Sequence, residues 1–185
     1  MQQILQALQN ILNKEKCISI EDSTISVVET GKQATLKSIH IVSVGQNALA
    51  LKLDQCGFPG QKVFVTQHEM HRACDAVAFC LVGNEPFILC FELKSSEPSK
   101  DEISSQFRSA HCFLDYLDSL LCTYHKVNIA DWPRRYFLFH DQGKNLLAKS
   151  PLFEAADNDV PERALFLPVK NGERMYLRKL LGKPL

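Results

Sequence analysis

The chain has 185 residues, 45% of them apolar and 23% charged, and its 21 basic residues balance 21 acidic ones. One domain of this size buries a core without disulfide or metal staples, and the composition excludes a disordered, collagenous or coiled-coil chain. Zero formal charge excludes a histone-like or arm-type nucleic-acid binder. No apolar run approaches the roughly eighteen residues that cross a bilayer, so no membrane span is expected.

Ile4, Leu5, Leu8, Ile11 and Leu12 form one stripe at helical spacing, which predicts an amphipathic helix over 2–14. Its polar face is rich in amides and not in basic groups, so it is expected to pack on its own core rather than on a membrane. Residues 17–65 are rich in Ile, Val and Thr. Thr30-Gly31, Gly45-Gln46-Asn47 and Gly57-Phe58-Pro59-Gly60 punctuate them into several strands. Over 74–94, two nearly continuous apolar runs flank Gly83-Asn84, a pair suited to a two-residue hairpin with glycine first. Such runs belong in the middle of a sheet covered on both faces. Ser99 and Glu102 then form a capping-box signature. Ile103, Phe107, Ala110, Leu114, Leu117 and Leu121 carry the helix to about Cys122. Residues 135–140 read as a strand, and 163–178 as a closing hairpin turned at Asn171-Gly172.

The fold class expected is α/β (α+β), a central mixed sheet flanked by helices, with extra N-terminal strands and a C-terminal hairpin. Residues 1–185 make one domain: an N-terminal helix and strands over 1–61, a motif-bearing core over 62–140, and the hairpin region over 141–185. Seven cysteines, an odd number with no CxxC pair, read as free thiols, and Cys80, Cys90 and Cys112 lie in apolar runs as core residues. The first residues do not resemble a targeting peptide. Together these features predict a cytoplasmic, reducing setting.

If Gly83-Asn84 is the whole turn, Val82 faces Glu85 and the ladder places Asp75 directly opposite Glu92. Period two puts Lys94 on the same face as Glu92. Two carboxylates about 5 Å apart at an effective dielectric near 20 repel by roughly 3 kcal/mol. Lys94, a shared proton or a divalent cation would offset that cost. Hard oxygen ligands suit Mg²⁺ or Mn²⁺, whose waters become nucleophiles beside a phosphodiester. The plain alternative is a solvated charge cluster in which Lys94 pairs with Glu92.

Asp75, then Glu92-Leu93-Lys94 after a hairpin, then a helix, resembles the PD-(D/E)xK nuclease superfamily, the restriction-endonuclease-like fold. The resemblance spans about 62–140. It implies Asp75 and Glu92 as metal ligands for Mg²⁺ or Mn²⁺, Lys94 as the catalytic lysine, and Gln106 as the glutamine that some branches carry on the following helix. It further implies hydrolysis of phosphodiester bonds in nucleic acid, DNA more than RNA, and is compatible with a homodimer. Cys74 stands where the motif's name has proline, and Ala110 where some branches have tyrosine. Neither Glu15 nor Glu69 is a clear counterpart of the first-helix glutamate. A catalytically silent, nuclease-like binding module fits these departures as well.

His68-Glu69-Met70-His71 spaces its histidines three apart, not the four of a zincin helix. No Walker A loop, GxGxxG or GxSxG occurs. Arg72, Arg108, Arg134 and Arg135 are the basic residues expected beside the carboxylates to contact nucleic acid. Arg174, Arg178, Lys179 and Lys183 extend that basic set, with Phe58, Trp132 or Tyr124 stacking on bases.

Overall fold

A computed structural model describes residues 2–45, 47–54, 73–141 and 157–182. Helix α1 spans Gln2–Ile11 and buries Ala7 and Leu8. A 3-10 turn follows at Lys14–Lys16, where Asn13 caps the Glu15 amide. Strands β1 (Cys17–Ile18), β2 (Ile20–Glu21), β3 (Thr24–Val28), β4 (Ser38–Val42) and β5 (Leu49–Lys52) come next. They are followed by β6 (Ala76–Val82), β7 (Glu85–Lys94), helix α2 (Lys100–His125) and β8 (Arg134–Asp141). The chain closes with β9 (Leu165–Val169), β10 (Glu173–Tyr176) and the short α3 (Leu177–Leu180).

Six strands form one mixed sheet in the order β1-β5-β6-β7-β8-β9, and four form a second sheet in the order β10-β4-β3-β2. In the first sheet β7, β8 and β9 run parallel while the other pairings are antiparallel. Period-two alternation along β6 and β7 gives each face its own core. Val77, Phe79, Ile88 and Cys90 face α1 and α2, meeting Leu8, Phe107, Leu114 and Leu121. Ala78, Cys80, Leu89 and Phe91 face the four-stranded sheet, meeting Ile25, Val27, Ile39 and Ile41. The architecture is therefore helices, sheet, sheet. Helices cover one face of the six-stranded sheet, and a second sheet covers the face where further helices were expected.

Helix α2 begins as its sequence requires, with Ser99 Oγ accepting the Glu102 amide at 3.3 Å. It runs three residues past the expected end and stops at Lys126, whose positive φ of 58° forms a left-handed cap. Gly83 takes φ +66° in the β6–β7 turn, the conformation that calls for glycine there.

The expected C-terminal hairpin does not form. Its turn is present, with the Glu173 amide bonded to the Lys170 carbonyl at 3.0 Å. Its arms part, however: β9 pairs in parallel with β8, and β10 pairs in parallel with β4 in the other sheet. Asn171 Oδ1 accepts the Lys37 and Ser38 amides at 2.8 and 3.0 Å, which ties the turn to β4 instead of to a hairpin ladder. Cys112 is a second correction. Cys80 and Cys90 are buried, but Cys112 lies on the exposed side of α2. Among the described residues, no helix is long and apolar enough to cross a membrane.

Candidate acidic site at the end of strand β7

The turn at Gly83-Asn84 sets Val82 opposite Glu85, and the ladder continues to Ala76 opposite Phe91. Asp75 stands one residue before β6 and meets Glu92, as the register requires. The contact is reciprocal. Asp75 Oδ2 accepts the Leu93 amide at 2.6 Å, and Glu92 Oε2 accepts the Asp75 amide at 3.1 Å. Each carboxylate thus takes an amide near the end of the ladder, which fixes both side chains without a metal.

Lys94 Nζ lies 2.8 Å from Glu92 Oε1 and 3.9 Å from Glu102 Oε1 at the start of α2. The Gln106 side chain, one turn further along α2, hydrogen-bonds Glu92. A carboxylate only accepts, so the amide NH₂ faces Glu92 and leaves Oε1. That oxygen is buried and has no partner among the described residues. Asp75, Glu92, Lys94 and Gln106 are therefore brought together on the helix side of the sheet, at the carboxyl end of β7.

The electrostatics follow from burial. Burial, then the Glu92 charge, pushes the Asp75 carboxyl well above its ordinary range, against the pull of the Leu93 amide. Burial raises Glu92 as well, and Lys94, the Asp75 amide and Gln106 limit that rise without reversing it. Burial draws the Lys94 ammonium down, but Glu92, Asp75 and Glu102 more than restore it, so Lys94 ends above an ordinary lysine. The pair thus favours retaining a proton.

Comparison with family models, curated proteins and solved structures found no match to this chain. The chemistry of the site rests on its own geometry.

No three His, Cys, Asp or Glu groups among the described residues converge closely enough to hold a metal by themselves. Mg²⁺ is commonly held by one or two carboxylates and several waters, and Asp75 with Glu92 matches that donor number. The unpartnered Gln106 oxygen is a ready acceptor for a water in that shell.

The arginines are placed otherwise than expected. Arg108 is exposed and pairs with Glu162 at 2.6 Å. Arg134 pairs with Asp115 at 2.6 Å and is in register with Ile88. Four residues of strand put that position about 13 Å from Glu92. Arg135, in register with Leu89, bonds the Arg134 carbonyl. Arg134 and Arg135 do not line the carboxylates, because β8 enters the sheet at the far end of β7, and Arg108 is engaged by Glu162. Arg72, His68, Glu69, His71 and Phe58 lie outside the described residues, as does Lys183. Trp132 is buried at 7% exposure and unavailable for stacking. Tyr124 is exposed but sits 18 residues along α2 from Gln106, roughly 27 Å away.

Three neighbours escaped the sequence reading. Glu29 and Asp54 add negative charge around Asp75. His140, buried at 9% exposure, is in register with Lys94 on β8. Asp54 follows β5 and Glu29 follows β3, so finding them requires the strand pairings. His140 requires the parallel pairing of β7 with β8, for which no hairpin turn leaves a signal.

Proposed function

We propose that the chain is a Mg²⁺- or Mn²⁺-dependent nuclease acting on phosphodiester bonds, in DNA more readily than in RNA. The observation that carries this reading is the pairing of half-buried Asp75 with buried Glu92, both with raised pKa values, beside a lysine and an orphaned glutamine oxygen. Lys94 balances one of the two carboxylate charges, and a divalent cation would offset the remaining repulsion most fully. Asp75 Oδ1 and Glu92 would hold the cation. When bound, such an ion supplies a water of lowered pKa and a Lewis acid for the phosphate.

The chain's own groups have defined tasks in this reading. The Leu93 and Asp75 amides keep the two carboxylates from swinging apart. Lys94 remains charged at neutral pH and steadies the negative charge that grows on a phosphate oxygen. Gln106 Oε1 orients a water by accepting one of its protons. Ile103 and Phe107, buried on the same helix as Gln106, belong to the dry core on this side of the sheet.

One observation favours the runner-up, a nuclease-like domain that binds without cutting. Lys94 already sits 2.8 Å from Glu92 and neutralises that carboxylate by itself. The experiment that separates the two is Mn²⁺ titration followed by a cleavage assay on single- and double-stranded substrates. Cleavage by the wild type that disappears in Asp75→Asn, Glu92→Gln and Lys94→Ala supports the enzyme. Metal binding without cleavage supports the binding module, and full cleavage in all three variants overturns the assignment.

A further inference from the structure

The outward face of the four-stranded sheet carries a second polar constellation. Ile25, Val27, Ile39 and Ile41 point into the core, so alternation turns Ser26 and His40 outward. Register sets His40 beside Ser26 on one side and beside Arg174 on the other. Ser26 Oγ lies 2.9 Å from His40 Nδ1, which fixes the ring and leaves its other nitrogen to the groove. These side chains line a groove of about 560 Å³, together with Lys52, Glu21 and Asp22. That volume lies within the range of small-molecule sites.

The groove is polarised. Arg174 belongs to β10 at one margin of the sheet, and Glu21 to β2 at the other. Three strand spacings separate those margins, roughly 14 Å. A guanidinium beside an imidazole recognises phosphate oxygens. Hydroxyls and carboxylates at the opposite margin accept from sugar hydroxyls and exocyclic amino groups. An inorganic anion would use one end alone, whereas a ligand with a phosphate at one end and donors at the other uses the whole groove.

We propose that this groove is a nucleotide site, with the phosphate on Arg174 and His40 and the nucleoside against Ser26 and Glu21. The nucleotide is either free or the terminus of a strand, and the recognition chemistry is the same in both cases. The site is distinct from the acidic pair: Ser26, His40 and Arg174 lie on the outward face of the four-stranded sheet, while the carboxylates lie on the helix side of the six-stranded one. It therefore does not depend on a metal at Asp75.

The test is calorimetric titration of the whole chain with AMP, adenosine, inorganic phosphate and a short oligothymidylate. The wild type is to bind AMP at least roughly tenfold more tightly than adenosine or phosphate. Arg174→Gln is to lose at least about tenfold in affinity for AMP with an unchanged melting temperature, and Asp75→Asn is to lose none. If Arg174→Gln alters folding, His40→Gln, also on the outward face, carries the same comparison. Binding of AMP with a weak oligothymidylate response assigns the groove to free nucleotides. An oligothymidylate response that depends on Arg174 assigns it to a strand end. Binding of neither, or binding indifferent to both substitutions, overturns the proposal, whatever the cleavage assay at Asp75 returns.

Discussion

Asp75 is where stability and chemistry pull apart. Its raised pKa means that the folded chain holds a proton there at pH values where the unfolded chain has released it. Between the ordinary aspartate value near 3.9 and the raised folded value, stability therefore falls as pH rises. Asp75→Asn keeps an oxygen for the Leu93 amide and removes the charge. In EDTA at pH 8 the variant should melt higher than the wild type, by about 2–4 °C for on the order of 1 kcal/mol relieved. The difference should shrink toward pH 4, where the wild-type carboxyl is protonated. Thermal melts by circular dichroism across that range check it. A variant that melts lower at pH 8 would mean that the pair serves as a strand-end cap. The meeting of Asp75 and Glu92 was legible in the sequence because a two-residue turn fixes every later pairing of its hairpin. Glu29, Asp54 and His140 were not, since their approach depends on strands that no short turn joins to the hairpin.

At the scale of elements, the Asn171-Gly172 turn shows what a local signal leaves open. Gly172 takes φ +75° and the chain reverses as its sequence indicates. A turn specifies the reversal and not the partner of the strand that follows it. Here the Asn171 side chain accepts two amides at the entrance to β4, and β10 joins β4 in parallel. Asn171→Ala should cost about 1–2 kcal/mol and speed hydrogen exchange of the Lys37 and Ser38 amides, while Asn171→Asp retains most of the stability. Urea melts with exchange measurements distinguish this from a general loosening. Helix α2 and β8 offer a second check. His111 Nδ1 lies 2.7 Å from the Tyr136 hydroxyl. Burial, then Arg134, lowers the His111 pKa, against the raising charges of Asp115 and Glu162. The folded chain thus binds fewer protons there, and the stability it contributes is lost as pH falls below about 6.5. His111→Gln should flatten the decline in melting temperature between pH 7.5 and 5.5 that this group causes in the wild type. An identical pH profile in the variant would remove His111 as its source.

On the scale of the molecule, the two sheets and the helix layer divide the polar groups between separate places. The acidic pair lies at the carboxyl end of β7, where the chain leaves the sheet for α2, the position at which open α/β sheets commonly place ligands. Arg108, Arg134 and Arg163 are each paired with an acidic side chain, so local neutralisation accompanies the zero net charge. In the proposed reading, binding at the carboxylates would then depend on the cation more than on a basic field. If Mn²⁺ occupies Asp75 and Glu92, it stabilises the folded chain by about 2.7 kcal/mol at a hundred times its dissociation constant. For a chain of this length that corresponds to a rise in melting temperature of roughly 5–11 °C. Because the cation competes with the proton that Asp75 retains, the rise should diminish as pH falls through the raised pKa, and Asp75→Asn and Glu92→Gln should abolish it at every pH. Differential scanning calorimetry with and without Mn²⁺ measures all three effects. A shift that persists undiminished in both variants would place the ion elsewhere and leave the paired carboxylates to Lys94, Gln106 and the two backbone amides.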